Sequence, residues 1–148
     1  MSAAGTDDCP FCDIVAGLAP ASIVYANNQV LAFMDIQPVT SGHCLVIPKN
    51  HIPDLEELPD GLGMELFRVA HRLARALGRS HLHCEGVNMF LADGEAAFQE
   101  VFHTHLHVFP RFSEDNFRIA ADWRIRDRDE LDTAAVQLRR GLAALGSG

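Results

Sequence analysis

Apolar and polar residues alternate in short runs over the first two thirds of the chain, and apolar residues recur at helical spacing in two longer stretches. Residues 22–25 and 29–35 read as two strands, with Asn27-Asn28 as the turn between them. Residues 42–47 form a third apolar run closed by Pro48, 88–92 a fourth and 101–109 a fifth, with the loop 94–99 between the last two. Leu62, Leu66, Val69, Ala70, Leu73 and Leu77 recur at the spacing of one helix face. Asp60 is the expected N-cap and Gly78 the expected stop. Leu131, Ala135, Leu138, Leu142 and Leu145 repeat the helical pattern before a final Gly-Ser-Gly, and residues 9–17 fit a short helix ending at Gly17. Strands joined by short turns, with one long helix among them and another trailing, predict an α+β fold: an antiparallel sheet of about five strands.

The 148 residues suit one compact domain, with a core over about 9–112 and a helical extension over about 113–148. No apolar run approaches the roughly 18 residues of a membrane span. Residues 1–8 lack a basic region followed by an apolar stretch, which argues against a secretory signal and for the cytoplasm. The net charge of -8 disfavours binding of a long nucleic acid through its backbone, and a DNA-repair role with it. A mononucleotide is compatible, because one local pocket can hold one phosphate against the global field.

Chemistry concentrates in "HTHLHVFPR", His103 to Arg111. On a strand, His103, His105 and His107 share one face, with ring origins about 6.6 Å apart, while Thr104, Leu106 and Val108 face the other way. Hydrogen-bonded surface histidines are the usual fate of one such residue, not of three in register. Two functional readings stand beside that one. A zinc site can use His-x-His on a strand with water in an open position. Alternatively, one neutral imidazole attacks phosphorus while a neighbour binds the phosphate. A second candidate is Cys9-Pro-Phe-Cys12; in a cytosolic chain this spacing suggests metal or redox chemistry rather than a disulfide. A thioredoxin-like pair follows a strand, and none precedes this one, which favours zinc with two further ligands. Cys44 and Cys84 read as small buried hydrophobes, and His81 and His83 as surface near the end of the helix.

"HTHLHVFPR" resembles the His-x-His-x-His signature of the histidine triad (HIT) family, with Thr104 a mild departure. "GEAAFQEVF" is similar to that family's approach to the triad, except that Phe98 stands where glycine is usual. "FMDIQPVTSGHCLVIPKNHI" resembles its other recurring block. The two blocks cover roughly residues 9–112. The resemblance implies a HIT-like fold and cleavage at the α-phosphorus of a purine nucleotide: phosphoramidates, dinucleoside polyphosphates or similar compounds. It implies His105 as nucleophile, through a nucleotidyl-phosphohistidine. His107 would donate to a phosphate oxygen, His43 would lie near the α-phosphate, and Gln99 would support the loop or touch phosphate. Asp35 would accept from the ribose hydroxyls, with Phe33, Ile36 and Ile47 walling the base and Phe11 and Ile14 as further candidates. It also implies a structural zinc on Cys9, Cys12, His51 and His103. A two-fold homodimer follows from the same likeness, with the 62–77 helix and the C-terminal helix as candidate interface.

The chain departs from the pattern in two places. Ala92 stands where Asn or Gln often contacts the reacting phosphate region, and the loss of one such donor costs on the order of 100-fold in rate elsewhere. Glu100 stands where Ser or Thr often lies near the leaving group; a carboxylate there is expected to turn away or pair, with Arg111 as candidate partner, or to act as a proton donor if its pKa were raised. These departures keep two rivals in view: a catalytically weak nucleotide-binding sensor or scaffold, and a metallohydrolase holding zinc on all three histidines.

Overall fold

The structure is a computed structural model that describes residues 8–146. The reading of the N-terminal stretch as lacking a signal lies almost wholly outside the described residues, as do Ser147 and Gly148. Two compact units make up the chain, one ending at Phe117 and the other beginning at Arg118. The first holds α1 (Pro10–Val15), β1 (Ile23–Ala26), β2 (Val30–Met34), β3 (Cys44–Pro48), α2 (Asp60–Arg79), β4 (Gly86–Leu91) and β5 (Leu106–Arg111). The second holds α3 (Arg128–Leu145), which begins after Asp127 and ends at Gly146, φ +83°. Residues 113–117 fold with the first unit: Asp115 pairs with Arg111 at 2.8 Å, and Phe117 meets Phe109 with ring centroids 5.1 Å apart. No helix among the described residues is long and apolar enough to cross a membrane.

The five strands form one antiparallel sheet in the order β1-β2-β3-β5-β4. Asn27 shapes the β1–β2 turn by accepting the N–H groups of Gln29 and Val30 on Oδ1, at 2.8 and 2.9 Å, the local bonding that favours asparagine at turns. Period-two alternation then sorts the side chains. Val30, Ala32, Cys44, Val46 and Val108 point to one face, where Leu66, Val69, Ala70 and Leu77 of α2 cover them. Leu31, Phe33, Leu45 and Ile47 point to the other, where only the short α1 packs, through Phe11, Ile14 and Val15. A 20-residue helix closes one face and a 6-residue helix part of the other, so the second face stays open enough for a site.

Three expected boundaries shift. Pro59, not Asp60, occupies the N-cap of α2, and no side chain caps it. Gly78 lies inside that helix, which ends at Ser80, where the hydroxyl donates to the Leu77 carbonyl at 2.7 Å. The largest change is β5, which begins at Leu106 instead of 101. The register pairs Leu45 with His107 and Val46 with Leu106, so its extension would set Thr104 against Pro48. Pro48 has no N–H for that ladder. Thr104 instead donates its N–H to the Ile52 carbonyl at 2.6 Å, and the chain leaves the sheet.

Candidate active site

That early exit separates the three histidines. Only His107 lies on β5; His103 and His105 precede it, so the expected single row on a strand does not form. The His103 ring turns toward the N-terminus of α1. Its Nδ1 lies 3.5 Å from Cys9 Sγ and 3.6 Å from Cys12 Sγ, and His51 Nδ1 lies 3.3 Å from Cys12 Sγ. Cys9 is the N-cap of α1, its sulfur accepting the Cys12 N–H at 3.4 Å, and one helical turn brings the two thiols together. One ligand atom from each of Cys9, Cys12, His51 and His103 lies within 4.8 Å of every other.

The donor set fits zinc. Two sulfurs and two imidazole nitrogens are a common closed tetrahedral set. His103 Nε2 lies 2.8 Å from the Pro48 carbonyl, which can only accept. The proton therefore sits on Nε2 and leaves the Nδ1 lone pair facing the thiols, the outer-shell arrangement of a metal-binding imidazole. Burial, with the Cys9 thiol adding to it, pushes Cys12 up to about 11, so a metal must displace its proton.

A second group stands on the open face. His105 Nδ1 lies 2.7 Å from the His103 carbonyl, so Nδ1 carries the proton and Nε2 keeps its lone pair. The Phe11 ring meets His105 edge to face at 5.1 Å, and the His105 and His107 centroids are 4.9 Å apart. The 35–43 loop, closed by Asp35 N–H on the His43 carbonyl at 3.0 Å, delivers His43 beside them. The Val39 N–H donates to His43 Nδ1 at 3.0 Å, so the His43 proton is on Nε2, 2.9 Å from His107 Nδ1. His107 in turn accepts on Nδ1 and carries its own proton on Nε2. Backbone groups thus set the tautomers of His105 and His43, and His43 sets that of His107. Burial lowers the pKa of each of the three, and for His107 burial together with the His105 and His43 rings lowers it to about 4. All three are neutral at pH 7.

A cavity of about 820 Å³ opens on this group. Asp35, His43, His105 and His107 line it, as do Phe33, Ile36, Phe11 and Ile14. Asp35 Oδ1 accepts the Gln37 N–H at 2.8 Å, while Oδ2 lies 3.5 Å from His43 Nε2. Ile47 and Gln99 stay off the cavity wall. Ile47 is wholly buried between the sheet and α1. The Gln99 amide is saturated by the loop: Oε1 accepts the Gly94 N–H at 2.8 Å, and Nε2 donates to the Pro53 and Val101 carbonyls. Ala92 is buried away from the cavity as well.

The expected Glu100–Arg111 pair does not form. Arg111 binds Asp115, Asn88 and the Phe117 carbonyl, because Asp115 follows it by one turn of chain on the same side. Glu100 lines the cavity beside Phe98 and Val101. Sequence reasoning also missed Val39, whose contribution is a backbone N–H and leaves no residue-type signal.

A five-stranded antiparallel sheet with a thiol–imidazole cluster and a backbone-oriented trio of histidines defines a small α+β class of known proteins. Residues 16–114 match the family model described as the HIT domain, and the chain belongs to the HIT family. Among solved structures, a zinc-bound histidine triad family protein from Mycobacterium smegmatis is 43% identical with a TM-score of 0.72, over 90% of this chain and 97% of that one. An adenosine 5'-monophosphoramidase of Saccharomyces cerevisiae is 34% identical over 131 residues, 87% of this chain and 79% of the relative. An adenylylsulfatase of Arabidopsis thaliana is 34% identical over 143 residues, 94% of this chain and 72% of the relative.

Proposed function

We propose that the protein is a hydrolase or transferase acting at the α-phosphate of nucleoside phosphoramidates or dinucleoside polyphosphates through a nucleotidyl-phosphohistidine on His105. One observation carries the reading: the His103 carbonyl holds the His105 proton on Nδ1 at 2.7 Å, leaving the Nε2 lone pair for the cavity. A neutral imidazole with one fixed tautomer is a competent nucleophile at pH 7. Nε2 attacks phosphorus, the bond to the leaving group breaks, and the leaving atom takes a proton from solvent. Water then supplies hydroxyl to phosphorus, restores Nε2 and returns that proton, so the sum is substrate plus water to nucleoside monophosphate plus leaving group.

His107 Nε2–H donates to a non-bridging oxygen, where charge builds in the transition state. His43 holds that tautomer by donating to His107 Nδ1. Asp35 Oδ2 accepts from the ribose, and Phe33 and Ile36 flank the base. A purine nucleotide occupies the cavity; a second copy of the chain packs on the outer face of α2, where Met64 and Phe67 are exposed. The protein works in the cytoplasm. Zinc on Cys9, Cys12, His51 and His103 is structural and takes no part in the reaction. Two named relatives, a monophosphoramidase and an adenylylsulfatase, support chemistry at an adenylyl phosphorus.

A metallohydrolase using all three triad histidines is disfavoured by geometry. Among the described residues His103 joins the thiols, while His107 joins Asp35 and His43. The test is a quenched reaction with adenosine phosphoramidate, read by intact mass and peptide mapping. One adenylyl group on His105, with release of AMP, is the expected result. Binding of AMP with neither adduct nor turnover would leave the sensor reading in its place.

A further inference from the structure

A second concavity, of about 430 Å³, lies between β1 and the C-terminal half of α2. It shares no lining residue with the histidine-lined cavity. The two stand on opposite faces of the sheet: Tyr25, Val69 and Leu73 pack on the side that α2 covers, Phe33 and Leu45 on the other. Arg72, Arg75 and Arg79 line this groove beside Val24, Tyr25 and Leu73, and no aspartate or glutamate does. Positions 72, 75 and 79 fall on one face of the helix, so the three guanidinium groups are distributed over about 10 Å of its axis. In a chain of net charge -8 with twelve lysines and arginines, three of the twelve therefore meet at one groove.

The fold itself employs only one of the three. Arg79 Nη1 donates to the Arg75 carbonyl at 3.0 Å, the way a cation caps a helix C-terminus. One turn before Arg72, Arg68 is held by Glu65 at 2.7 and 2.8 Å. The Arg72 and Arg75 side chains have no such partner among the described residues. Like charges three and four residues apart on a helix repel, so nothing within the chain rewards this placement. Guanidinium forks meet phosphate oxygens two at a time, and their planes stack on aromatic rings. The Tyr25 hydroxyl is held by Asn27 Nδ2 and Arg68 Nη2, each at 3.4 Å, which makes its ring a fixed wall. A single small anion would engage part of the arginine row and leave Tyr25, Val24 and Leu73 wet. A chain of phosphates attached to a flat ring system uses both, with phosphates along the arginines and the ring against the apolar wall. The volume is that of a small-molecule site, whereas a protein partner needs about 20–30 residues a side. We propose that the groove between β1 and α2 binds a nucleoside polyphosphate at a second site, apart from the cavity that holds His105. The inference goes beyond the function proposed above and does not depend on it. Binding is reversible, and no bond is made or broken in the groove.

The experiment titrates full-length, zinc-loaded, nitrogen-15-labelled protein with ATP, inorganic tripolyphosphate and adenosine, and locates binding by amide chemical shifts. ATP should move the amides of residues 24–25 and 69–79 as one saturable set, with an affinity that falls as salt rises. Tripolyphosphate should bind the same set about 10-fold more weakly, for want of the ring contact, and adenosine should leave it unmoved. Arg72→Gln with Arg75→Gln changes two exposed positions to a good helix former. It should weaken ATP at the groove about 10-fold, the size of two exposed charge contacts, at an unchanged melting temperature. ATP that moves only residues of the histidine-lined cavity, such as 43 and 105, overturns the proposal. So does an affinity that the double substitution leaves unchanged. Tripolyphosphate binding as tightly as ATP would make the groove a site for bare anions, and a peptide of glutamate and leucine binding there more tightly than ATP would assign it to a protein partner; either result overturns the proposal as well. None of these readouts involves hydrolysis, so the proposed activity stands or falls separately.

Discussion

If zinc sits on the thiol–imidazole cluster as proposed, removing it should loosen His105, the proposed nucleophile, as well as the N-terminal helix. The four proposed ligands join segments far apart in the chain: Cys9 and His103 are 94 residues apart, and His51 follows β3. Their thiol and imidazole groups make only weak hydrogen bonds with one another, so a shared ion would be the strongest tie between these segments. An ion that binds only the folded chain stabilises it by about 4 kcal/mol when its free concentration is 1,000 times its dissociation constant. For a domain of this size each kcal/mol moves the melting temperature by about 2–4 °C, so chelation should lower it by about 8–16 °C. Cys9→Ser with Cys12→Ser should melt at the chelated temperature and bind no stoichiometric zinc. Turnover should fall too, because the His103 carbonyl fixes the His105 tautomer at 2.7 Å and the His103 ring is one of the four proposed ligands. The assay is differential scanning calorimetry with and without chelator, alongside metal counting by mass spectrometry. A protein that loses its zinc and melts at an unchanged temperature would refute the reasoning.

Other expectations follow from single residues. His105→Ala should lose hydrolysis by on the order of 10⁴-fold or more while still binding AMP, checked by single-turnover kinetics and calorimetric titration; measurable AMP release at the wild-type rate would remove His105 from the chemistry. Because burial lowers His107 from 6.5 to about 4, its neutral ring persists into mild acid. Its contribution to stability is complete above 6.5 and is lost as pH falls from 6.5 toward 4, since the unfolded chain takes up its proton first. The acid limb of kcat/KM should therefore lie below 6.5, and a limb above it would contradict the assigned environment. Gly42 has φ +106°, and an added Cβ would sit 2.7 Å from Leu82 Cδ1. Gly42→Ala should cost about 1–3 kcal/mol, visible in urea unfolding, and lower activity by shifting His43. Leu66→Ala, 2% exposed beneath the sheet, should cost about 2–5 kcal/mol by the same measurement with little change in KM.

The pattern of apolar positions was enough for the sheet, the long helix and the class of fold, because alternation and helical spacing are local consequences of which face meets water. The motifs likewise marked where chemistry-bearing side chains gather: two cysteines one helical turn apart, and histidines at alternate positions. The directions of particular side chains were decided by tertiary contacts. Pro48 stops the β3–β5 ladder, and so His103 leaves the row and joins the thiols. The Ile52 and His103 carbonyls and the Val39 N–H are backbone groups that no residue type marks, yet they set the path of 104 and the protons of His105 and His43. Arg111 finds Asp115 before it can find Glu100, and the Gln99 amide turns inward to hold a loop while its neighbours face the cavity. Spacing in sequence specifies which groups share a face of one element; which partner satisfies a donor or a charge depends on what the rest of the fold brings within about 3 Å of it.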